Sequence, residues 1–179
     1  MRHVVYNAFW VWNFDKEEKW LNEMAAKGLC LVSINGFRYE FEDCVPGEYT
    51  IKMELLKKSP KKPESKKYLE FLEETGAEFV GSFSNWVYLR KNRSKGEFEL
   101  YSDNKSRVEH LSRILKTILY VLIMNFLAGA LNIWILIQSH MFMNAVGVIN
   151  IILAFIGIFG YVHISKKLKR IKKEAELFE

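Results

Sequence analysis

The chain is short of charge in one place and of chemistry almost everywhere. Between Lys116 and Lys166 there is no Asp, Glu, Lys or Arg, an uncharged run of 49 residues. Soluble core helices rarely go this long without a charge, so this stretch is expected to lie in lipid. Only three prolines interrupt the chain, and none falls within that run. There are two cysteines, Cys30 and Cys44, without CxxC spacing, which makes a poor metal site. Four histidines occur, and only His3 and His110 lie outside the uncharged run. No GxSxG, HExxH, glycine-rich phosphate loop or Cys–His spacing is present. The carboxylates sit in helix-surface patterns such as Glu73-Glu74. The expectation is a protein that is not an enzyme and carries no cofactor or metal.

A single helix over the uncharged run would measure roughly 70 Å, more than twice a bilayer core of about 30 Å. Two spans fit, near residues 117–137 and 141–164, divided by Gln138-Ser139-His140. Arg107, Arg113 and Lys116 precede the first, and Lys166, Lys167, Lys169, Arg170, Lys172 and Lys173 follow the second. The turn has neither Lys nor Arg, so the positive-inside rule places both termini in the cytoplasm of a multi-pass plasma-membrane protein. Residues 1–30 lack the apolar core of a signal peptide, so the leading domain is expected to stay cytoplasmic, where the two cysteines need not pair.

Residues 1–110 hold 18 basic and 18 acidic residues, whereas residues 111–179 hold 8 and 3. The whole net charge of +5 belongs to the flanks of the spans. That favours anionic lipid headgroups over direct nucleic-acid contact. Within the spans, Asn125 and Asn132 share a face with Ala128 and Gly129, and Gly147, Asn150, Ala154, Gly157 and Tyr161 form a second stripe. Asn125, Asn132, Asn150 and Gly157 are therefore candidate helix–helix contacts, closing the hairpin or joining a second copy. His140 and His163 are expected at the interface.

Residues 1–91 read as one unit written twice. Trp20-Leu21-Asn22-Glu23-Met24-Ala25-Ala26-Lys27-Gly28 returns 48 residues later as Tyr68-Leu69-Glu70-Phe71-Leu72-Glu73-Glu74-Thr75-Gly76. Each is a short amphipathic helix ending at a glycine. Asp15 with Glu18 suggests a capping box for the first, and Pro63 starts the second. Two β runs follow each glycine: 29–34 and 37–42 joined by Asn35-Gly36 in a type I′ signal, then 77–83 and 86–90 joined by Ser84-Asn85. A strand precedes each helix, near 3–11 and 48–56.

The predicted fold is α+β. A tandem βαββ repeat (1–100) puts two helices on one face of a mainly antiparallel sheet. A connecting helix (101–116), a two-helix transmembrane hairpin (117–164) and a basic amphipathic cytoplasmic tail (165–179) follow. The tail carries Leu168, Ile171, Ala175 and Phe178 on one face, which would continue the second span, lie on the membrane or equally pack on the leading domain.

Two surfaces are candidates for binding. Trp10, Trp12, Trp86 and Tyr88 belong to an aromatic-rich set that an open sheet face would present to a partner. Lys57, Lys58, Lys61 and Lys62, with Lys166 and Lys167, would meet anionic lipid or an acidic partner.

The run Glu18-Lys19-Trp20-Leu21-Asn22-Glu23-Met24-Ala25-Ala26-Lys27-Gly28 resembles the bacterial domain-of-unknown-function 2812 family over about residues 1–100. So do Tyr39-x-Phe41, Pro46-Gly47-Glu48-Tyr49, Tyr68-x-x-Phe71 and Trp86-x-Tyr88-x-Arg90. Ala77 departs from the aromatic expected there. The resemblance implies a cytoplasmic domain ahead of a transmembrane pair, often encoded beside PadR-type regulators, and supplies no catalytic residue. The expected function is a membrane-anchored cytoplasmic binding or regulatory module that senses a ligand or membrane state or tethers a transcriptional regulator. The alternative is an accessory subunit of a transporter or antimicrobial-resistance system. The expected partners are the bilayer, a PadR-type regulator or a larger membrane protein, or a second copy.

Overall fold

A computed structural model describes residues 1–101, 103–139 and 146–176. His140 and Phe178, and the start of the second expected span at Met141, lie outside the described residues. The chain forms two compact units, residues 1–102 and 103–179.

The first unit is α+β and follows the repeat. Its elements are β1 (Arg2–Tyr6), α1 (Phe14–Ala26), β2 (Leu29–Asn35), β3 (Arg38–Asp43), β4 (Tyr49–Leu55), α2 (Pro63–Glu74), β5 (Ala77–Phe83) and β6 (Trp86–Asn92). Two three-stranded antiparallel sheets result, ordered β1-β3-β2 and β4-β6-β5. The match between halves reaches irregularities: β2 shifts register between Leu31 and Ser33, and β5 between Phe79 and Gly81, again 48 residues on. The bulged strands are the ones that meet, which interrupts what would otherwise be one continuous ladder. There Arg90 Nη1 donates to Leu31 O at 3.1 Å, and a Cβ on Gly81 would stand 3.1 Å from Ile34 Cγ2.

The helices do not share one face. Leu69 and Leu72 of α2 pack on Val87 and Leu89, whereas α1 meets their alternate neighbours, Phe14 against Trp86 and Glu17 against Tyr88. The second sheet is thus covered on both sides. The cause lies in β6, whose Trp86-Val87-Tyr88-Leu89 is buried at every position. A strand without polar alternation needs cover on both faces.

β1 is shorter than expected. Residues 11–13 form a 3-10 turn that leads into α1, so Phe9 and Trp10 lie outside the strand. The proposed capping box is absent: Asn13 is the N-cap and makes no side-chain cap bond. Glu18 turns instead to the free edge of β4, accepting from Met53 N at 3.0 Å and Lys52 Nζ at 2.9 Å. One turn on, Asn22 Oδ1 accepts from Ile51 N at 2.9 Å and Asn22 Nδ2 donates to Ile51 O at 2.8 Å. Two helix side chains therefore take the place of a neighbouring strand, and the edge is closed to further pairing. Cys30 and Cys44, which a cytoplasmic location did not require to pair, form a disulfide with Cα atoms 5.9 Å apart. The ladder brings them together, because Cys30 pairs with Glu42, two residues before Cys44.

In the second unit, α3 (Asn104–Ser139) joins the expected connecting helix to the first span, and α4 (Val146–Glu176) carries the second span on through the basic tail. Both are long and apolar enough to cross a membrane. Their most apolar windows are only 11% and 22% buried, the reverse of helices inside a soluble core. They touch through their small residues. A Cβ on Gly129 would lie 2.8 Å from Ile151 Cδ1, one on Gly147 2.9 Å from Asn132 Cβ, and one on Gly157 3.8 Å from Leu122. The asparagines do not bond across the pair: Asn125 Nδ2 donates to Val121 O and Asn132 Nδ2 to Ala128 O, each in its own helix.

The two hairpin loops differ in strain. The first is Gly36-Phe37, one residue later than the Asn35-Gly36 signal, with φ +62° at Gly36. Positive φ at the first loop position alone belongs to the type II′ class rather than type I′. The second is Ser84-Asn85, and Ser84 sits at φ +55°, a left-handed conformation that costs a side chain about 1–2 kcal/mol. Ser84→Gly is therefore expected to stabilise the protein by about 0.5–1 kcal/mol, read as a raised midpoint in thermal unfolding of the full chain in detergent. An unchanged or lowered midpoint would contradict the assignment of strain.

Candidate functional site

The spacing of apolar residues on α1 determines which of its acids is buried. Phe14, Leu21 and Ala25 face inward, and Glu17 lies three residues after the first and four before the second. Glu17 is accordingly only 7% exposed, while its neighbours Asp15 and Lys16 are exposed. Two tyrosine hydroxyls converge on one of its oxygens. Tyr39 of β3 donates to Glu17 Oε1 at 2.7 Å, and Tyr88 of β6 donates to the same atom at 2.6 Å. The carboxylate thus joins the two repeats, one donor coming from each sheet.

Aromatic rings surround this junction. Trp20, one turn beyond Glu17, stands edge-on to Tyr39 with centroids 5.0 Å apart and to Phe41 at 5.8 Å. Phe9 packs on Trp20 at 5.6 Å. Phe14, one turn before Glu17, lies 5.6 Å from Trp86. Burial raises the Glu17 pKa above its usual value of 4.5, against the opposing pull of the hydrogen bonds from Tyr88 and Tyr39. Burial beside Glu17 also raises both tyrosines, so they stay protonated and remain donors. A second buried acid, Glu54 of β4, accepts from Tyr68 of α2 at 2.8 Å on the other face of the sheet.

The residues marked out from the sequence are dispersed. Trp86 and Tyr88 are inside, at 8% and 3% exposure, and do not form an open platform. Trp12 is buried beneath Trp10, stacked at 4.9 Å, and Trp10 is the exposed member of the set. Lys57, Lys58, Lys61 and Lys62 are all exposed, Lys58 in an ion pair with Glu64 at 2.7 Å; Lys166 is exposed and Lys167 half-buried. His3 pairs with Asp43 at the surface. Among the described residues no cluster of His, Cys, Asp and Glu could hold a metal ion. Glu17 was not singled out in the sequence, although the helical spacing from Phe14 and Leu21 places it on the inner face, and Tyr39 was marked only as part of the Tyr39-x-Phe41 pattern.

Substitutions at Glu17 separate its roles. Glu17→Ala leaves two buried hydroxyls without an acceptor and is expected to cost about 2–4 kcal/mol. Glu17→Gln keeps an acceptor oxygen and should cost less than about 1 kcal/mol. The folded carboxyl titrates above its unfolded value, so its stabilisation is full below pH 4.5 and is lost as pH rises through the folded pKa. Unfolding midpoints across pH should therefore show wild type losing stability relative to Glu17→Gln from pH 4.5 upward. Parallel profiles would contradict this.

No curated protein and no solved structure matches the chain. One family does, described as proteins of unknown function, DUF2812, over residues 13–123. That span holds α1, the strands of both repeats after β1, and the opening turns of α3. With more than half of its length matched, this chain belongs to the DUF2812 family.

Proposed function

We propose that the protein is a membrane-anchored binding module. Its α+β unit senses a ligand and answers to a protein partner, and its two apolar helices hold it at the membrane. The observation that carries this reading is the Glu17 junction, where both halves of a duplicated domain depend on a buried acid ringed by aromatics. A ligand that engaged this acid would act on both sheets at once. That is the arrangement a sensor needs, since a ligand shifts a structure only through contacts that differ between states.

The basic flanks of the spans support a cytoplasmic location for both termini. The Cys30–Cys44 bond pulls the other way, since such bonds persist in oxidising compartments. A transcriptional regulator is the partner class that the family resemblance favours. The reading as a transporter subunit has less support, because Gly129, Gly147 and Gly157 are used within the α3–α4 pair. What the helices present outward is Phe126, Trp134, Phe155 and Phe159, as lipid would require.

Two measurements test the reading. With Lys61→Cys in a Cys30→Ser/Cys44→Ser background, a membrane-impermeant maleimide should label inverted vesicles and leave intact cells unlabelled. Labelling of intact cells would overturn the cytoplasmic assignment. Cross-linking mass spectrometry in native membranes should join lysines 57–67 to a second protein. No intermolecular cross-link from this unit would overturn the module.

A further inference from the structure

We propose that the hairpin-tip end of the α+β unit docks on an anionic bilayer surface. The proposal rests on the reading of the chain as membrane-anchored and gives the α+β unit a lipid contact of its own.

Both β-hairpins turn at the same end of this unit. Gly36-Phe37 closes the first and Ser84-Asn85 the second, and a Cβ on Gly36 would stand 3.6 Å from the Phe83 ring. Three other segments arrive there. β1 ends beside the first tip, with Tyr6 opposite Arg38 and Asn7 N donating to Phe37 O at 3.0 Å. β4 ends beside the second, where Leu56 N donates to Asn85 O at 2.9 Å. The turn into α1 starts at Trp10, whose carbonyl accepts from Asn13 N, and Phe14 then packs on Trp86.

This end is apolar yet exposed. Tyr6, Trp10, Phe37 and Phe83 are 72%, 52%, 61% and 47% exposed, so the rings contribute little to the core. The hairpins do not require the two phenylalanines. At the 48-residue offset Asn85 stands for Phe37, and Asn35 stands for Phe83.

The same end is basic. The loop that leaves Leu56 carries Lys57, Lys58, Lys61 and Lys62, all exposed, and residues 57–62 hold no acid. Glu64 is matched by Lys58 in an ion pair, and Asp15 by its neighbour Lys16. Exposed rings beside a lysine loop suit the boundary of a bilayer. Aromatic side chains settle at headgroup level there, and lysines meet anionic lipid.

A membrane is also the partner within reach. The apolar helices turn Phe126, Trp134, Phe155 and Phe159 outward. Only the helical stretch 104–116, roughly 20 Å long, separates the α+β unit from the uncharged run along the chain. Docking of the tips leaves Lys66 and Lys67, a turn into α2, exposed to a protein partner.

The test places an environment-sensitive fluorophore on Asn35→Cys, beside the first tip, in the full chain with Cys30→Ser/Cys44→Ser. Glu74→Cys, at the far end of α2, is the reference site. Vesicles of phosphatidylcholine with about 30% phosphatidylserine in both leaflets carry a headgroup nitroxide lipid as quencher. The matched leaflets make the result independent of the side the unit faces. Quenching at Asn35→Cys should exceed that at Glu74→Cys at least threefold. It should fall by at least half when Lys57, Lys58, Lys61 and Lys62 are all changed to Gln. The same fall is expected in pure phosphatidylcholine, a comparison that needs no lysine variant to fold. Equal quenching at the two sites, or quenching that persists in the Gln variant or in pure phosphatidylcholine, would each overturn the proposal. A label shielded from water but not quenched would mark a second copy in place of lipid and overturn it too. None of these outcomes touches the maleimide labelling of cells or the cross-links to a protein partner, which test the module separately.

Discussion

One carboxylate oxygen, Glu17 Oε1, accepts hydroxyl protons from two sheets that do not form a common ladder. Much of the α+β unit is arranged around that constraint. To bring Glu17 to both tyrosines, α1 must lie across the join of the two halves. Its next stripe, Glu18 and Asn22, then meets the backbone of β4. The same placement takes Phe14 to Trp86 and Trp20 to Tyr39 and Phe41, so the aromatic residues of both repeats gather on one helix. A buried acid without a cation is costly, and two short hydrogen bonds offset only part of that cost.

The duplication is close in backbone and unequal in chemistry. Glycines 28 and 76 end the helices with positive φ, and the bulges and hairpin loops recur at the same 48-residue offset. The side chains diverge. Gly36 becomes Ser84, Glu17 becomes Ser65, and Trp20 becomes Tyr68, which bonds Glu54 on the far side of the second sheet. The first helix serves both sheets, whereas the second packs on one. Only the first repeat has become a junction.

The sequence made the frame legible and concealed the centre. Periodicity, terminal glycines and the 48-residue offset are local signals, and they give the order of elements and the apolar helix pair. The two-sided burial of β6 was also written locally, in the unbroken Trp86-Val87-Tyr88-Leu89, but aromatic content there suggested an exposed platform. Glu17 sits in Asp15-Lys16-Glu17-Glu18-Lys19, where composition alone makes every acid look solvated. Helical spacing puts it on the inner face, but its partners are tyrosines 22 and 71 residues away in sequence, a pairing that no local pattern carries. Similarly, Glu18 suited a helix cap until β4 supplied a better donor in Met53 N. The asparagines of the spans kept their bonds within their own helices, because an i−4 carbonyl was in reach and the glycine contacts had already closed the gap.

Glu17 holds the two halves of the domain together. Native-state hydrogen exchange of Glu17→Ala against wild type tests it most directly. Amides of β3 (residues 38–43) and of β6 (residues 86–92) should lose protection together and by similar factors. Loss confined to one sheet, or protection unchanged in both, would contradict it.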